Sequence, residues 1–260
     1  MDNYNEFIPA VHFELIPIKN LVSNQEYQRN LSIKHIQRTA SHFDLYQINP
    51  VKVSFRDGRN YVINGQHTIE IIAAISGSRE TPVWCMVYGD LEYVVEADIF
   101  ANQQKYVKSL TPYEIFMANI EAGSDDQLII KSLVESYGLK IVSGKVLCGI
   151  CGVACLEQIY KKFGYHNLDR TLRLIVGTWQ GDPMSLSASM IRGVSLLIDN
   201  YGDEIKDDIF CDKLSAFSAI EIIRNGKARR PGPIGYVEAM LINYGKNKKN
   251  ILPLRQNEIM

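Results

Sequence analysis

The sequence of 260 residues lacks any apolar run that approaches the roughly 20 residues needed to span a bilayer. Its beginning, Met1–Glu6, is polar and lacks the charged-then-apolar order of a signal peptide. We therefore expect a soluble protein of the cytoplasm with no membrane partner. The hydrophobic fraction of 46% is ample for one large core or two modest ones.

Cysteine is scarce, and the five cysteines are an odd number. Three of them are spaced as Cys148-x-x-Cys151-x-x-x-Cys155, which is not a disulfide framework. A zinc site would need a further Cys or His pair at a suitable distance, and His166 stands alone. The apolar neighbours favour a buried helix from Val146 to Phe163 in which the thiols pack in the core.

A strong excess of charge is also absent, since 28 Lys and Arg against 29 Asp and Glu give a formal net charge of −1. The charge is unevenly distributed, however, because residues 224–260 hold eight basic side chains and two acidic ones. Such a local excess is typical of contacts with the phosphate backbone of DNA, and equally of a solvated tail. The candidate DNA contacts are basic residues in two short clusters: Lys227, Arg229, Arg230, Lys246, Lys248 and Lys249.

The first hundred residues alternate between strand and helix signals. Alternating or β-branched runs predict strands at residues 11–17, 50–55, 61–63 and 82–88. Ser32 is a suitable N-cap for a helix through Phe43, and Arg56-Asp57-Gly58-Arg59 suits a hairpin turn. Two further helices are predicted, one ending at Ser76-Gly77-Ser78 and one over residues 92–104.

The pattern changes near residue 110. Thr111-Pro112-Tyr113-Glu114 combines an N-cap threonine, a proline at the first helical position and a capping-box glutamate. Helical patterns then continue almost to the end of the chain. The predicted fold class is α+β, with a small mixed α/β domain at residues 1–110 followed by an all-helical domain at residues 111–260.

Three polar clusters interrupt the otherwise apolar first half: Tyr27-Gln28-Arg29, Asn64-Gly65-Gln66-His67-Thr68 and Asn102-Gln103-Gln104-Lys105. The middle cluster follows a predicted strand and opens a predicted helix. A glycine turn in this position leaves backbone N–H groups pointing outward at the positive end of the helix dipole. The sequence therefore predicts an anion site at this turn.

The order and spacing of these clusters resemble the ParB/sulfiredoxin-like superfamily. The segment Tyr61 to Gly77 resembles its central strand, Asp-Gly-x-His-Arg-like turn and apolar helix, and Gln28-Arg29 resembles its upstream Gln-Arg element. Ala101 to Lys105, with Leu110 to Glu114 after it, resembles the Glu-Asn-x-x-Arg…Leu-x-Pro-x-Glu element of ParB proteins. The resemblance spans about residues 11–115, and for the helical half it extends to uncharacterised ParB-like proteins carried by phages and mobile elements.

The resemblance implies a site for a phosphate or a nucleotide with Mg²⁺, since ParB proteins bind and hydrolyse CTP and sulfiredoxin binds ATP. The residues carried over to this site are polar or glycine: Gln28, Arg29, Asn64, Gly65, Gln66, His67, Thr68, Asn102 and Lys105. Three positions depart from the family pattern. Gln66 replaces the sulfiredoxin cysteine, Thr68 replaces an arginine, and Ala101 replaces a glutamate that would be a magnesium ligand.

The leading interpretation is a ParB-like DNA-associated protein of a phage or mobile element. One alternative is a nuclease or nucleotide hydrolase that uses His67 as catalytic residue with a metal, although Glu70 is the only acid close to the turn. Another is a protein-interaction module. The expected recognition helix near residues 143–145 offers only Lys145 for base readout, so sequence-specific binding there is not expected. The sequence leaves open which nucleotide is bound and whether the chain forms a homodimer.

Overall fold

The computed structural model describes residues 10–23, 26–103, 105–245 and 252–253. The chain divides into two compact units, Met1–Lys108 and Ser109–Met260. Each unit has its own hydrophobic core.

The first unit contains a five-stranded mixed sheet. Its strands are β1 (Val11–Pro17), β2 (Leu21–Ser23), β3 (Val51–Arg56), β4 (Arg59–Asn64) and β5 (Pro82–Gly89). The strand order is β1-β5-β3-β4-β2. β5 and β3 are parallel, as are β4 and β2, whereas β1 pairs antiparallel with β5, and β3 with β4.

Three helices accompany this sheet in the described part of the unit: α1 (Ile33–Ala40), α2 (Gln66–Ser76) and α3 (Tyr93–Asn102). Ile69 of α2 packs against Val51, Val53 and Val87 in a buried apolar cluster on one face of the sheet. Side chains alternate between the faces of a strand, so Arg56 lies on the opposite face from Val53. There Arg56 Nε donates to Glu96 Oε1 of α3 at 3.1 Å.

Several predicted local signals are confirmed in this unit. Ser32 Oγ caps α1 by accepting from His35 N at 3.3 Å. Asp57 and Gly58 have φ of 52° and 71°, as the predicted hairpin between β3 and β4 requires. The first helix ends at Ala40 rather than at Phe43, because Ser41 Oγ hydrogen-bonds back to Arg38 O at 2.9 Å and closes the helix locally.

The second unit is built from seven helices in its described residues: α4 (Pro112–Glu121), α5 (Asp125–Ser136), α6 (Val153–Trp179), α7 (Ala188–Tyr201), α8 (Asp207–Leu214), α9 (Ala219–Arg229) and α10 (Pro233–Tyr244). The capping box at Thr111 and Glu114 is confirmed. A two-residue parallel pair, β6 (Lys140–Ile141) with β7 (Gly149–Ile150), was not predicted. No helix of the described ranges has both the length and the apolar character that crossing a membrane requires.

The predicted helix from Val146 is wrong at its start, because α6 begins at Val153. Cys148 has a left-handed φ of 56° and its N–H donates to Gly181 O at 3.0 Å, which holds the preceding segment out of the helix. Lys145, the one residue suited to base readout, therefore precedes α6. A second difference lies at the other end, because α6 does not stop at the predicted Phe163 but continues to Trp179 through a kink at Gly164, with φ 81° and ψ 178°.

The three clustered cysteines consequently do not share one helical face. Cys155 lies in α6 and is buried, whereas Cys151 is exposed and precedes the helix. Burial raises the pKa of the Cys155 thiol to about 11, so this sulfur packs as a neutral thiol. Among the described residues, no group of three or more His, Cys, Asp or Glu side chains is arranged to hold a metal ion.

Arg170 joins α6 to the turn between α7 and α8. Its guanidinium donates to Asp207 Oδ1 at 2.9 Å, to Gly202 O at 2.9 Å and to Ile205 O at 2.6 Å. The side chain is only 16% exposed. The neighbouring Arg173 also contacts Asp207, at 3.1 Å, but its side chain is 52% exposed.

We expect Arg170→Ala to lower the free energy of unfolding by about 3 kcal/mol, since the Gly202 and Ile205 carbonyls and one oxygen of the Asp207 carboxylate lose their donor. Arg173→Ala, the matched control, should cost under about 1 kcal/mol because exposed ion pairs contribute little. Urea-induced unfolding followed by circular dichroism measures both values. Equal losses of unfolding free energy in the two variants would contradict the role of Arg170 in joining α6 to the turn between α7 and α8.

Candidate anion-binding site

The turn between β4 and α2 depends on Gly65. Its φ of 107° and ψ of 13° lie in a region that side-chain-bearing residues rarely adopt. A Cβ at this position would also lie 3.1–3.2 Å from atoms of Val51 on the adjacent strand β3. Both the backbone conformation and the close approach to β3 therefore require glycine here.

The first turn of α2 is open to a ligand. No side chain caps its N-terminus, and the first turn contains no acidic residue. The first N–H groups of a helix have no partner within the helix, and the helix dipole places positive potential at this end. These are the features that favour binding of an anion such as phosphate.

A cavity of about 390 Å³ lies at this N-terminus. Its lining comes from the segment before α1, from the turn, and from α1, α2 and α3: Gln28, Arg29, His35, Ile63, Asn64, Gly65, Gln66, His67, Thr68, Ile71, Phe100 and Gln103. No described lining residue is Asp or Glu, whereas Arg29 contributes a positive charge. Of the nine residues predicted for the site, the structure brings seven together: Gln28, Arg29, Asn64, Gly65, Gln66, His67 and Thr68.

Three hydrogen bonds attach the first polar cluster and the start of α1 to β4 and to the middle cluster that follows it. Gln28 Nε2 donates to Val62 O of β4, and Gln66 Nε2 donates to Arg29 O at 2.5 Å. Ser32 N donates to His67 Nε2 at 3.1 Å. The amide nitrogens of both glutamines thus position the backbone that carries Arg29.

Three glutamine side chains near the cavity have an amide oxygen that accepts no hydrogen bond from the described residues. The Oε1 atoms of Gln28, Gln66 and Gln103 are buried and accept no hydrogen bond within the described part of the chain. Buried amide oxygens without a donor are uncommon in folded proteins and cost stability. A ligand that carries N–H or O–H groups as well as negative charge would complement this lining.

His67 is held in the neutral form. Burial lowers its pKa below the ordinary value of 6.5, and the electrostatic influence of the nearby Arg29 and His35 side chains lowers the pKa further. Because Nε2 accepts from Ser32 N, the ring proton of the neutral imidazole lies on Nδ1. The ring nitrogen that could act as a base is therefore occupied, and the catalytic role of His67 stays a prediction.

Asn102 and Lys105 are placed elsewhere. Asn102 Nδ2 donates to Asp98 Oδ1 at 2.8 Å, and Lys105 Nζ lies 5.5 Å from the centre of the Tyr106 ring. Neither residue is part of the described cavity lining. Gln103, the residue after Asn102, lines the cavity instead, together with Phe100 about one helical turn earlier.

Sequence reasoning missed His35, Phe100 and Gln103. The signals for them were present but indirect, since His35 lies in the first turn of the helix predicted from Ser32, and Gln103 lies within the third polar cluster. Only the docking of α3 on the sheet decides which residues of that cluster face the cavity. Glu96 holds α3 there: it is fully buried and accepts from Arg56, whose guanidinium lies 4.6 Å from the centre of the Tyr61 ring.

The predicted DNA contacts lie partly within the described residues. Lys227 and Arg229 occupy the last turn of α9, Arg230 follows it, and all three are exposed. Arg230 Nε also lies 3.6 Å from Glu238 Oε1. The second cluster, Lys246, Lys248 and Lys249, lies outside the described residues.

Fold and site together define an α+β protein with a polar-lined cavity at a strand–glycine–helix turn. The chain belongs to the family of unknown function DUF6551, whose sequence model matches residues 22–256. No curated protein matches the chain.

Two solved structures show similarity to the chain. C-terminally truncated ParB from Caulobacter crescentus complexed with CTP-γ-S is 12% identical, with 88% of this chain and 98% of that chain covered and a TM-score of 0.35. The same truncated protein complexed to the centromeric parS site is 12% identical, with 86% and 97% covered and a TM-score of 0.26. Family membership therefore rests on the sequence model.

The lowered pKa of His67 predicts an acid-sensitive fold. Below about pH 6.5 the unfolded chain binds a proton at this histidine that the folded chain does not. The free energy of unfolding should therefore decrease as the pH is lowered, until the pKa of the folded state is reached. Thermal unfolding of the wild type and of His67→Gln between pH 7.5 and pH 5 measures this slope. The variant should show a shallower dependence than the wild type.

The control for this experiment is His166→Gln, which removes an exposed histidine from the second unit. A slope that is unchanged in His67→Gln, or reduced equally in both variants, would contradict the proposed linkage.

Proposed function

We propose that this protein is a ParB-like, DNA-associated protein whose first unit binds a nucleotide or another phosphate-bearing anion at the N-terminus of α2. The observation that carries the proposal is the cavity in which Arg29 and the uncapped first turn of α2 converge without an acidic neighbour among the described lining residues. Its volume of about 390 Å³ lies within the range of small-molecule sites.

The chemistry of the lining suits a nucleotide better than a bare metal ion. The N–H groups of α2 and the Thr68 hydroxyl would contact phosphate oxygens, and the exposed Arg29 guanidinium would neutralise their charge. The unused Oε1 atoms of Gln66 and Gln103 would accept hydrogen bonds from a sugar or a base. The resemblance of the three polar clusters to ParB motifs supports the same ligand class.

The composition of the cavity lining favours binding of a nucleotide over its hydrolysis. Phosphoryl transfer enzymes position Mg²⁺ with carboxylate or hydroxyl ligands, and Ala101 stands where the resembled motif has a glutamate. Carboxylates are missing from the described lining, and Glu70 forms an ion pair with Arg79 at 3.0 Å. We therefore propose a ligand-binding site, with release of inorganic phosphate measured as the alternative outcome.

The nucleotide proposal predicts that Arg29→Gln weakens binding at least about tenfold, since a charged hydrogen bond to phosphate is lost. Isothermal titration calorimetry with CTP, ATP, GTP, UTP and inorganic triphosphate, each with and without Mg²⁺, measures the affinities. Arg59→Gln is the matched control, because Arg59 is an exposed arginine at the far end of the strand that leads into the turn.

Failure of every anion to bind the wild type would overturn this part of the proposal, as would an equal loss of affinity in Arg29→Gln and Arg59→Gln. Phosphate release that disappears in His67→Ala would favour the hydrolase alternative instead.

The DNA part of the proposal rests on the exposed basic end of α9. Gly226 and Gly235 allow α9 and α10 to approach closely, since a Cβ on Gly226 would lie 2.5 Å from Tyr236 Cδ1. This packing leaves Lys227 and Arg229 projecting from the last turn of α9 into solvent. Exposed cations of this kind contact phosphate without reading the base sequence.

Affinity for double-stranded DNA should fall steeply with salt, and the double variant Lys227→Gln, Arg229→Gln should reduce the slope of log affinity against log salt by about 2. Fluorescence anisotropy with labelled DNA at several salt concentrations measures this slope. Lys140→Gln with Lys161→Gln, which neutralises two exposed lysines of the same unit, is the control. DNA binding that is absent at low salt would leave a protein-interaction module as the better interpretation.

A further inference from the structure

β1 is an edge strand of the first unit. Among the described strands it pairs only with β5, along one of its two sides, so the backbone groups of its other side pair with no described strand. An exposed edge is a template for pairing with another strand, and folded proteins usually protect it with charges, bulges or a covering segment. β1 is seven residues long and pairs with β5 without a register shift.

The side chains of β1 divide by face. Phe13 and Leu15 point to one face and are 56% and 48% exposed. His12 and Glu14 point to the other, where their side chains contact each other at 3.4 Å. Trp84 of β5 stands opposite Leu15 and is 57% exposed, so the apolar face continues across two strands.

We propose that β1 pairs antiparallel with β1 of a second copy of this chain, about a two-fold axis that passes beside Phe13. The side chains of β1 are self-complementary in this arrangement. His12 of one copy stands opposite Glu14 of the other, and Val11 stands opposite Leu15. Phe13 stands opposite itself.

Other registers lose this complementarity. An axis at Glu14 places two carboxylates opposite each other, and an axis at His12 places two imidazoles opposite each other. A slip of one residue pairs polar side chains with apolar ones, because directly opposed residues share a face of the sheet. The hydrogen-bonding complementarity of the His12 ring with the Glu14 carboxylate, together with the self-matching apolar face, therefore selects both the occupant, a second copy, and the register about Phe13.

The pairing joins two five-stranded sheets into one sheet across the dimer. On one face the pairing covers the exposed apolar side chains Phe13 and Leu15 of both copies. It also brings the two Trp84 side chains closer to this apolar surface. On the other face it exchanges the contact within each strand for two His12–Glu14 pairs between copies. Pro17 ends the ladder because it has no N–H to donate.

Sedimentation equilibrium of the full chain over a range of concentrations tests the proposal. The wild type should dimerise reversibly, and Glu14→Lys should weaken the dimer about tenfold because both cross-strand His12–Glu14 pairs are lost. His12→Glu combined with Glu14→Lys restores opposite charges across the interface and should recover most of the affinity. Glu135→Lys makes the same charge change at an exposed position of α5 and should have no effect.

Cross-linking tests the register independently of stability. In the proposed pairing the Cα atoms of the two Phe13 residues lie about 4.5–5.5 Å apart, within the range of a disulfide, whereas those of the two Leu15 residues lie about 13 Å apart along the strands. With exposed Cys151 replaced by serine, Phe13→Cys should form a disulfide-linked dimer under oxidised glutathione, and Leu15→Cys should not.

A chain that stays monomeric throughout the concentration range would overturn the proposal. It would also be overturned by a dimer that Glu14→Lys leaves intact, or by cross-linking through Leu15→Cys in preference to Phe13→Cys.

Discussion

The close approach of Gly65 to Val51 is the constraint on which the first unit's candidate site depends. With φ at 107° and β3 about 3 Å from where a Cβ would be, the chain can pass from β4 into α2 at this point only as glycine. That passage aims the first turn of α2 into the cavity. The direction of the helix dipole, the placement of His67 and Thr68, and the contact between α2 and the sheet all follow from it.

The rest of the site is assembled around this turn by polar contacts, which range from buried to exposed. Gln28 and Gln66 fasten the segment that carries Arg29, and His67 accepts from Ser32 at the start of α1. On the other face of the sheet, buried Glu96 and Arg56 hold α3 so that Phe100 and Gln103 complete the lining. Gln28 and Gln66, which the sequence predicts as ligand-binding residues, therefore also position the backbone that carries Arg29.

The proposed anion site and the proposed dimer edge use different parts of the same sheet. The cavity lies where β4 ends, whereas β1 lies at the opposite edge of the strand order from β2, which pairs with β4. Pairing through β1 would thus leave the cavity accessible in both copies.

Local chemistry determined much of this protein from the sequence alone. Ser32 and Thr111 cap helices through their own side chains, Asp57-Gly58 forms its hairpin, and Gly65 makes the turn from β4 into α2, because each signal acts within a few residues. The start of α6, the inward turn of Gln103 and the tautomer of His67 depended on contacts from distant segments: Gly181 with Cys148, Arg56 with Glu96, and Ser32 with His67. Only the tertiary structure decided these three features, because a periodic sequence pattern does not specify which distant residue a given residue contacts.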